Sequence, residues 1–269
     1  MTSKVTDQHF SMDGYLQVAL NTANKTIKKD WDMVFCVDGS EGSGKSVFTQ
    51  QLAYYCDPTL TNVKIVFTPQ GFRKAIINSP KYTAVIYDEA YTGLSSRATM
   101  SLINRTLISM LAEIRQRNLF VFVVMPCFFD LDKYVALWRA RGLFHVYTGK
   151  NFERGYFAFY NTDRKKDLYI QGKKFYSYYR PKPNFIGRFP NHYTVDEKEY
   201  KHNKKHSLIA REKKAEDAAK KKEIETELFS RLQSMKKEIS HPLKMEIMGM
   251  ASATYFRKLR AYNDLKEFD

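Results

Sequence analysis

The stretch Gly39-Ser40-Glu41-Gly42-Ser43-Gly44-Lys45-Ser46 restricts this chain more than any other. It fits the spacing GxxxxGK(S/T) and stands between an apolar run, Met33 to Val37, and a helical pattern from Lys45 to about Tyr55. Chemistry explains each position. Glycines let the backbone curl until several N–H groups face one anion, and the following helix turns its positive end toward the same point. In such a loop Lys45 reaches the outer phosphates of a nucleotide and the Ser46 hydroxyl ligates magnesium, while the backbone from Gly39 to Ser46 cradles the phosphates. A glycine-rich turn without a ligand is the plain alternative.

The rest of the chain supplies the scaffold such a loop needs. Apolar, β-branched or aromatic runs occur at Val63 to Phe67, Thr83 to Tyr87, Leu119 to Met125 and Leu143 to Tyr147. Helical patterns fall between them at Gln70 to Asn78, Ser101 to Gln116 and Leu131 to Arg139, and another precedes them at Gly14 to Lys28. With Met33 to Val37 this gives five strands alternating with helices, which predicts an α/β fold with a parallel five-stranded core sheet. Beyond Tyr147 the runs Tyr156 to Tyr160, Asp167 to Ile170 and Lys174 to Tyr178 predict added antiparallel β-hairpins. The proline-bearing RPKPNFIGRFP reads as an irregular arm.

The longest apolar run, Leu119 to Phe129, is broken by Pro126 and falls short of the about 20 residues that span a bilayer. No membrane span is expected, and MTSKVTDQHF lacks the organisation of a signal peptide, so a cytoplasmic location is expected. Cys36, Cys56 and Cys127 fit neither a disulfide framework nor a zinc site.

A second chemical element is Ala84-Val85-Ile86-Tyr87-Asp88-Glu89-Ala90, an apolar strand ending in two acids. Carboxylates at the end of a buried strand are costly unless they have partners. Beside the glycine loop, Asp88 is placed to hold magnesium opposite Ser46, and Glu89 to polarise the water that attacks the terminal phosphate. Solvated acids at a turn are the alternative. Arg97, Arg105, Arg115 and Arg117 flank this region.

The motifs GSEGSGKS, AVIYDEA and EIRQRNLFVFVVMP followed by DLDKYV, within about Asp32 to Tyr147, resemble the additional-strand P-loop ATPases with a catalytic glutamate. Within that division the chain is most similar to the FtsK/HerA superfamily of DNA-pumping ATPases and to the ATPase domain of zonular occludens toxin-like phage proteins. Phage terminase ATPases share the loop and the DEA. The resemblance implies a RecA-like P-loop NTPase sheet with the strand Leu119 to Met125 between the loop strand and the Asp88 strand. It also implies ATP and Mg2+ as ligands, a homo-oligomeric ring, and an arginine finger, for which Arg117 is the candidate; a helix terminus favouring cations is the alternative reading of that arginine. The family's central strand usually ends in a polar sensor, commonly Thr-Gln, where this chain has Met125-Pro126-Cys127. The filamentous-phage relatives usually carry a membrane span, which is not evident here.

The chain carries 44 Lys plus Arg against 29 Asp plus Glu, a formal net charge of +15, so a polyanionic partner is expected. Between Arg164 and Arg188 eight basic residues face one acid, Asp167, with Tyr169, Phe175, Tyr176, Tyr178, Tyr179 and Phe185 interleaved. Cations that meet phosphates alternate there with rings that stack on bases, which points to Lys165, Lys166, Lys173 and Lys174 as DNA contacts. A hairpin with core aromatics and solvated lysines is the alternative.

Lys198 to Lys237 intersperses acids among lysines and reads as a charged helical spacer. The tail LKMEIMGMASATYFRKLRAY resembles a helix-turn-helix, with Gly249 at the corner, Ile247, Met250 and Leu259 as its small core, and Arg257, Lys258 and Arg260 toward DNA. A helical hairpin for docking or self-association fits as well.

The expected organisation is therefore an N-terminal helix (1–30), a P-loop ATPase core (31–150), a basic aromatic hairpin extension (151–195), a charged helical spacer (196–237) and a helix-turn-helix (238–269). The expected function is a Mg-dependent ATPase coupling hydrolysis to translocation or packaging of double-stranded DNA, of viral or plasmid origin. An ATP-controlled DNA-binding switch with slow hydrolysis is the alternative, and a small-molecule kinase using the same loop is a third.

Overall fold

Every residue of the strand Met33–Asp38 is buried, so it must lie inside a sheet covered on both faces. The computed structural model describes residues 4–5, 10–88, 97–235 and 239–266. It forms two compact units, Met1–Lys204 and Lys205–Asp269. The first unit opens with a small antiparallel pair, β1 (Lys4–Val5) and β2 (Ser11–Met12), and with α1 (Gly14–Ile27). Asp13 starts α1 by accepting a hydrogen bond from the Leu16 N–H at 3.0 Å, and Leu16, Leu20, Ala23 and Ile27 recur at helical spacing on its buried side.

There follow β3 (Met33–Asp38), α2 (Lys45–Cys56), β4 (Ile65–Val66), α3 (Pro69–Asn78), β5 (Ala84–Tyr87), α4 (Arg97–Arg117), β6 (Phe120–Val124) and β7 (Ala140–Tyr147). The unit closes with β8 (Tyr156–Asn161), α5 (Thr162–Gly172), β9 (Phe185–Arg188) and the first turns of α6 (Glu197–Ser234). The sheet has seven strands in the order β4-β5-β6-β3-β7-β8-β9. The pairs β4·β5, β5·β6, β6·β3 and β3·β7 are parallel, whereas β7·β8 and β8·β9 are antiparallel.

The α/β class expected from the alternation is present, in a mixed sheet, and β6 lies between β3 and β5. Alternate strand residues feed two cores. Val34 and Cys36 join Phe72 of α3, Leu111 and Ile114 of α4 and Leu168 of α5. Phe35 and Val37 face the other way, toward Leu20 of α1, Phe48 and Leu52 of α2, and Tyr200 of α6.

Beyond β7 the hairpin expectation fails in part. Tyr156 to Tyr160 is a strand, but Asp167 to Ile170 lies in α5 and Lys174 to Tyr178 forms turns and coil. Asn161 explains the helix: its side chain accepts from the Arg164 N–H at 3.1 Å, and Lys165, Leu168 and Tyr169 then fall on one buried side. The strand that completes the sheet is β9, in the stretch expected to be irregular. Leu131 to Arg139 is reduced to a short helical turn with a π segment at Val135–Arg139.

In the second unit the remainder of α6 is followed by α7 (His241–Ile247) and α8 (Ser252–Lys266). Gly249 at φ +57° makes the corner between them. The core differs from the expectation: Ile247 is exposed, and the buried centre is Tyr255 with Phe229 and Leu232 of α6. The Tyr255 hydroxyl meets His241 Nδ1 at 2.8 Å and accepts from Gln233 Nε2 at 3.0 Å.

Candidate functional site

The carboxyl ends of β3, β5, β6 and β7 deliver one residue group each to the same end of the sheet, where ligands of open parallel sheets bind. From β3 comes the Gly39–Ser46 loop. Gly39, Gly42 and Gly44 adopt φ of +139°, +76° and +98°, which only glycine tolerates readily. At Gly39 the reason is also steric, since a Cβ would stand 1.9 Å from the Val146 carbonyl oxygen. Met125 N–H bonds the Val37 carbonyl at 2.9 Å and Gly39 N–H bonds the Pro126 carbonyl at 3.3 Å, which ties the loop to the end of β6.

Lys45 opens α2 and turns its ammonium back over the loop, donating to the Gly39 and Ser40 carbonyls, each at 2.7 Å. Burial lowers its pKa; Asp38 and Asp88 oppose this, and Lys204 adds to it. The Ser46 hydroxyl donates to Asp88 Oδ1 at 3.2 Å, joining loop and β5. Ser43 Oγ is buried and has no hydrogen-bond partner among the described residues. On the outer side, Phe189 packs against Gly44 and stacks on Phe48 with centroids 4.5 Å apart.

Two carboxylates organise the site, and each has partners from far along the chain. Asp38, fully buried at the end of β3, accepts from the Phe128 N–H at 2.9 Å and from the Tyr178 hydroxyl, and its Oδ1 lies 2.9 Å from His145 Nδ1. The parallel register places Asp38 beside His145, and the Tyr178 ring stacks on the imidazole at 3.8 Å. Burial and the neighbouring Asp38 carboxylate push the Tyr178 phenol far above its ordinary range, so it stays a donor.

Asp88 is equally enclosed. The Tyr200 hydroxyl donates to its Oδ2 at 2.5 Å, and Lys204 Nζ lies 4.0 Å from the same oxygen. Neither α6 residue, nor Asp38 or His145, was expected from the sequence, and Tyr178, expected among the rings that stack on bases, instead packs at Asp38 and His145. The only signal available was their residue type, because the pairings cross more than a hundred positions of chain.

The structure brings Lys45, Ser46 and Asp88 together with Gly39, Ser40, Glu41, Gly42, Ser43 and Gly44. Glu89 lies outside the described residues. Arg117 ends α4 beside the start of β6, at the opposite end of the sheet from the loop of its own chain.

Of the expected DNA contacts, Lys165 is a correction. It is fully buried in α5, donating to the Ala136 carbonyl and, at 3.4 Å, to that of Leu137, so it has no route to a phosphate. Lys166 lies over the exposed Trp138 ring at 4.6 Å, and Lys173 and Lys174 are exposed. Phe175, Tyr176 and Tyr179 are exposed, whereas Tyr169 is buried and Tyr178 packs at the site. In the second unit Arg257 and Arg260 are exposed, and Lys258 pairs with Glu225 at 2.6 Å.

Fold and site together define an α/β protein whose parallel strands gather a glycine loop, a lysine, a hydroxyl and two carboxylates at one end. The chain matches no protein-family model and no curated protein.

Proposed function

We propose that this chain is a RecA-like P-loop ATPase that binds MgATP at the Gly39–Ser46 loop and couples hydrolysis to movement or packaging of DNA. The observation that carries the reading is the meeting of Lys45, Ser46 and Asp88 at the carboxyl end of the sheet, with Ser46 Oγ 3.2 Å from Asp88 Oδ1. The orphaned Ser43 hydroxyl and the Gly39 position, where a side chain would collide, fit a loop shaped for an anion.

In this reading the start of α2 and the loop backbone bind the phosphates, and Lys45 leaves its two carbonyl partners to neutralise the outer ones. Ser46 and Asp88 hold magnesium, which when bound supplies positive charge to the phosphate oxygens. Glu89 follows Asp88 directly in sequence and takes the proton of the attacking water. Arg117, far from its own loop, acts only if a neighbouring copy presents it, which accords with a ring. DNA is proposed to meet the basic residues Lys166, Lys173 and Lys174 of the first unit, of which Lys173 and Lys174 are exposed and Lys166 half-buried, and Arg257, Lys258 and Arg260 of the second.

A second reading, an ATP-controlled switch with slow turnover, is favoured by the end of β6. Met125 is buried, Pro126 has neither an N–H nor a polar side chain, and the Phe128 N–H serves Asp38 and the Tyr178 hydroxyl. Phosphate release measured with and without double-stranded DNA, in wild type and Glu89→Gln, separates the two. A motor shows strong DNA stimulation that is lost in the variant. DNA-independent slow turnover selects the switch, and absence of ATP-derived phosphate in every condition rejects both.

A further inference from the structure

Asp88 is held by protein from two directions. Ser46 engages Oδ1 from the loop, and Tyr200 engages Oδ2 from the first turns of α6 at 2.5 Å, across 112 positions of sequence. Tyr200 is not a loose neighbour: it is 3% exposed, and its ring packs beside Phe67 and Tyr193, each with centroids 5.9 Å apart. The helix start that carries it is fastened to the α/β unit. Asn62 donates to Glu199 Oε2 at 2.7 Å and to the Asp196 carbonyl at 3.2 Å, and Thr194 donates to the Gln50 carbonyl at 3.1 Å. Gln51 of α2 donates to the carbonyls of Pro190 and His192, each at 2.8 Å.

One turn beyond Tyr200, Lys204 brings an ammonium 4.0 Å from Asp88 Oδ2 and into the electrostatic neighbourhood of Lys45. A carboxylate that binds a cation on one side and accepts a fixed hydrogen bond on the other is oriented by that bond, and the orienting donor commonly tunes metal affinity. A second lysine beside Lys45 concentrates positive charge where phosphates would sit, and such charge stabilises a transferring phosphoryl group.

We propose that Tyr200 is a positioning residue for the Asp88 carboxylate and that Lys204 is a second phosphate-directed cation, so that the first turns of α6 complete the nucleotide site. This rests on the reading of the Gly39–Ser46 loop as a MgATP site. It makes the charged helix, expected to be a spacer throughout, part of the chemistry over its first turns.

The test uses the full chain with Tyr200→Phe, Lys204→Met and Lys204→Arg, each checked for an unchanged circular dichroism spectrum. A fluorescent ATP analogue reports binding with EDTA and across a magnesium titration, and phosphate release reports turnover. Tyr200→Phe keeps the ring, and it is expected to raise the magnesium concentration for half-maximal binding about tenfold while metal-free binding stays at the wild-type value. Lys204→Met is expected to lower kcat by about tenfold or more, with Lys204→Arg restoring part of it.

Wild-type magnesium dependence in Tyr200→Phe, or wild-type kcat in Lys204→Met, overturns the assignment of that residue while leaving the loop reading intact. Failure of the wild-type chain to bind the analogue at any magnesium concentration overturns the loop reading and this inference with it.

Discussion

Lys165 shows how far residue type can mislead when burial is not known. Its amine is enclosed between α5 and the turn before β7, and burial pushes its pKa from 10.5 down to about 8. Below pH 8 the amine is charged in both folded and unfolded chains, and the folded protein carries the full cost of enclosing that charge. As pH rises from about 8 to 10.5 the folded form gives up its proton first, the unfolded chain binds more protons, and stability rises. Cys36 opposes this at higher pH: burial pushes its thiol from 9.0 up to about 12, so ionisation favours the unfolded chain above pH 9. Denaturant melts of wild type and Lys165→Met across pH 7 to 11 report the amine together with its smaller coupling to Cys36, since burial of the thiol is common to both. Wild type is expected to gain about 3 kcal/mol relative to the variant over that window. A constant difference between the two would mean the amine is not enclosed as described. The loop residues and Asp88 were legible because their chemistry is fixed by short local spacing. Tyr178, His145, Tyr200 and Lys204 were not, since their partners are set by sheet register and by chain that returns from far away.

At the scale of elements, legibility followed periodicity. The buried strands β3, β5 and β6 and the helices α1 and α3 were read from apolar spacing, and α1 and α3 also carry capping residues, Asp13 and Thr68, at their starts. The stretch after β8 was misread because Leu168-Tyr169-Ile170 is too short to distinguish a strand from one side of a helix. β9 was hidden by the prolines that flank it, Pro183 and Pro190, yet all four of its residues pair with β8 at the open edge of the sheet, where neighbouring prolines are tolerated. What fastens this edge to the loop is an aromatic stack. Phe48 of α2 lies 4.6 Å from the Phe157 ring of β8 and 4.5 Å from Phe189, and meets Phe144 of β7 edge-on at 5.8 Å. Phe48 is fully buried, so Phe48→Ala is expected to cost about 3–5 kcal/mol in chemical denaturation. Because Phe189 also packs on Gly44, the same variant is expected to weaken nucleotide binding at temperatures where it remains folded. A loss near 1 kcal/mol would show that the stack can collapse around the gap and that the edge is held by its hydrogen bonds instead.

For the whole molecule the question is where a net charge of +15 acts. The structure removes one lysine from the proposed DNA surface and sets Lys204 4.0 Å from Asp88 Oδ2, so the excess cannot be treated as one patch. Along α6 much of it is balanced locally, as in the pairs Lys201 with Glu197 at 2.5 Å and Arg231 with Glu227 at 2.6 Å. Exposed pairs of this kind add little stability and leave little free charge. Other basic groups lie over rings in the first unit, among them Lys166 over Trp138, Lys173 over Tyr169, Lys174 over Phe175 and Arg180 over Tyr179, and Arg257 and Arg260 are exposed in the second. Each phosphate neutralised adds about 0.9 to the slope of log affinity against log salt for duplex DNA, so the two groups can be counted separately. Replacing Lys166, Lys173 and Lys174 together by Ala is expected to weaken duplex binding and make the slope shallower by about 2–3, while Lys165→Met leaves the slope at the wild-type value. Replacing Arg257, Lys258 and Arg260 is expected to change the slope by less than three contacts' worth, because Lys258 is already paired with Glu225. Fluorescence anisotropy of a labelled duplex across a salt series measures all four proteins. An unchanged slope in the Lys166, Lys173 and Lys174 variant would remove the first unit from the DNA surface, and an unchanged slope in the Arg257, Lys258 and Arg260 variant would make the helical tail a docking or self-association element instead.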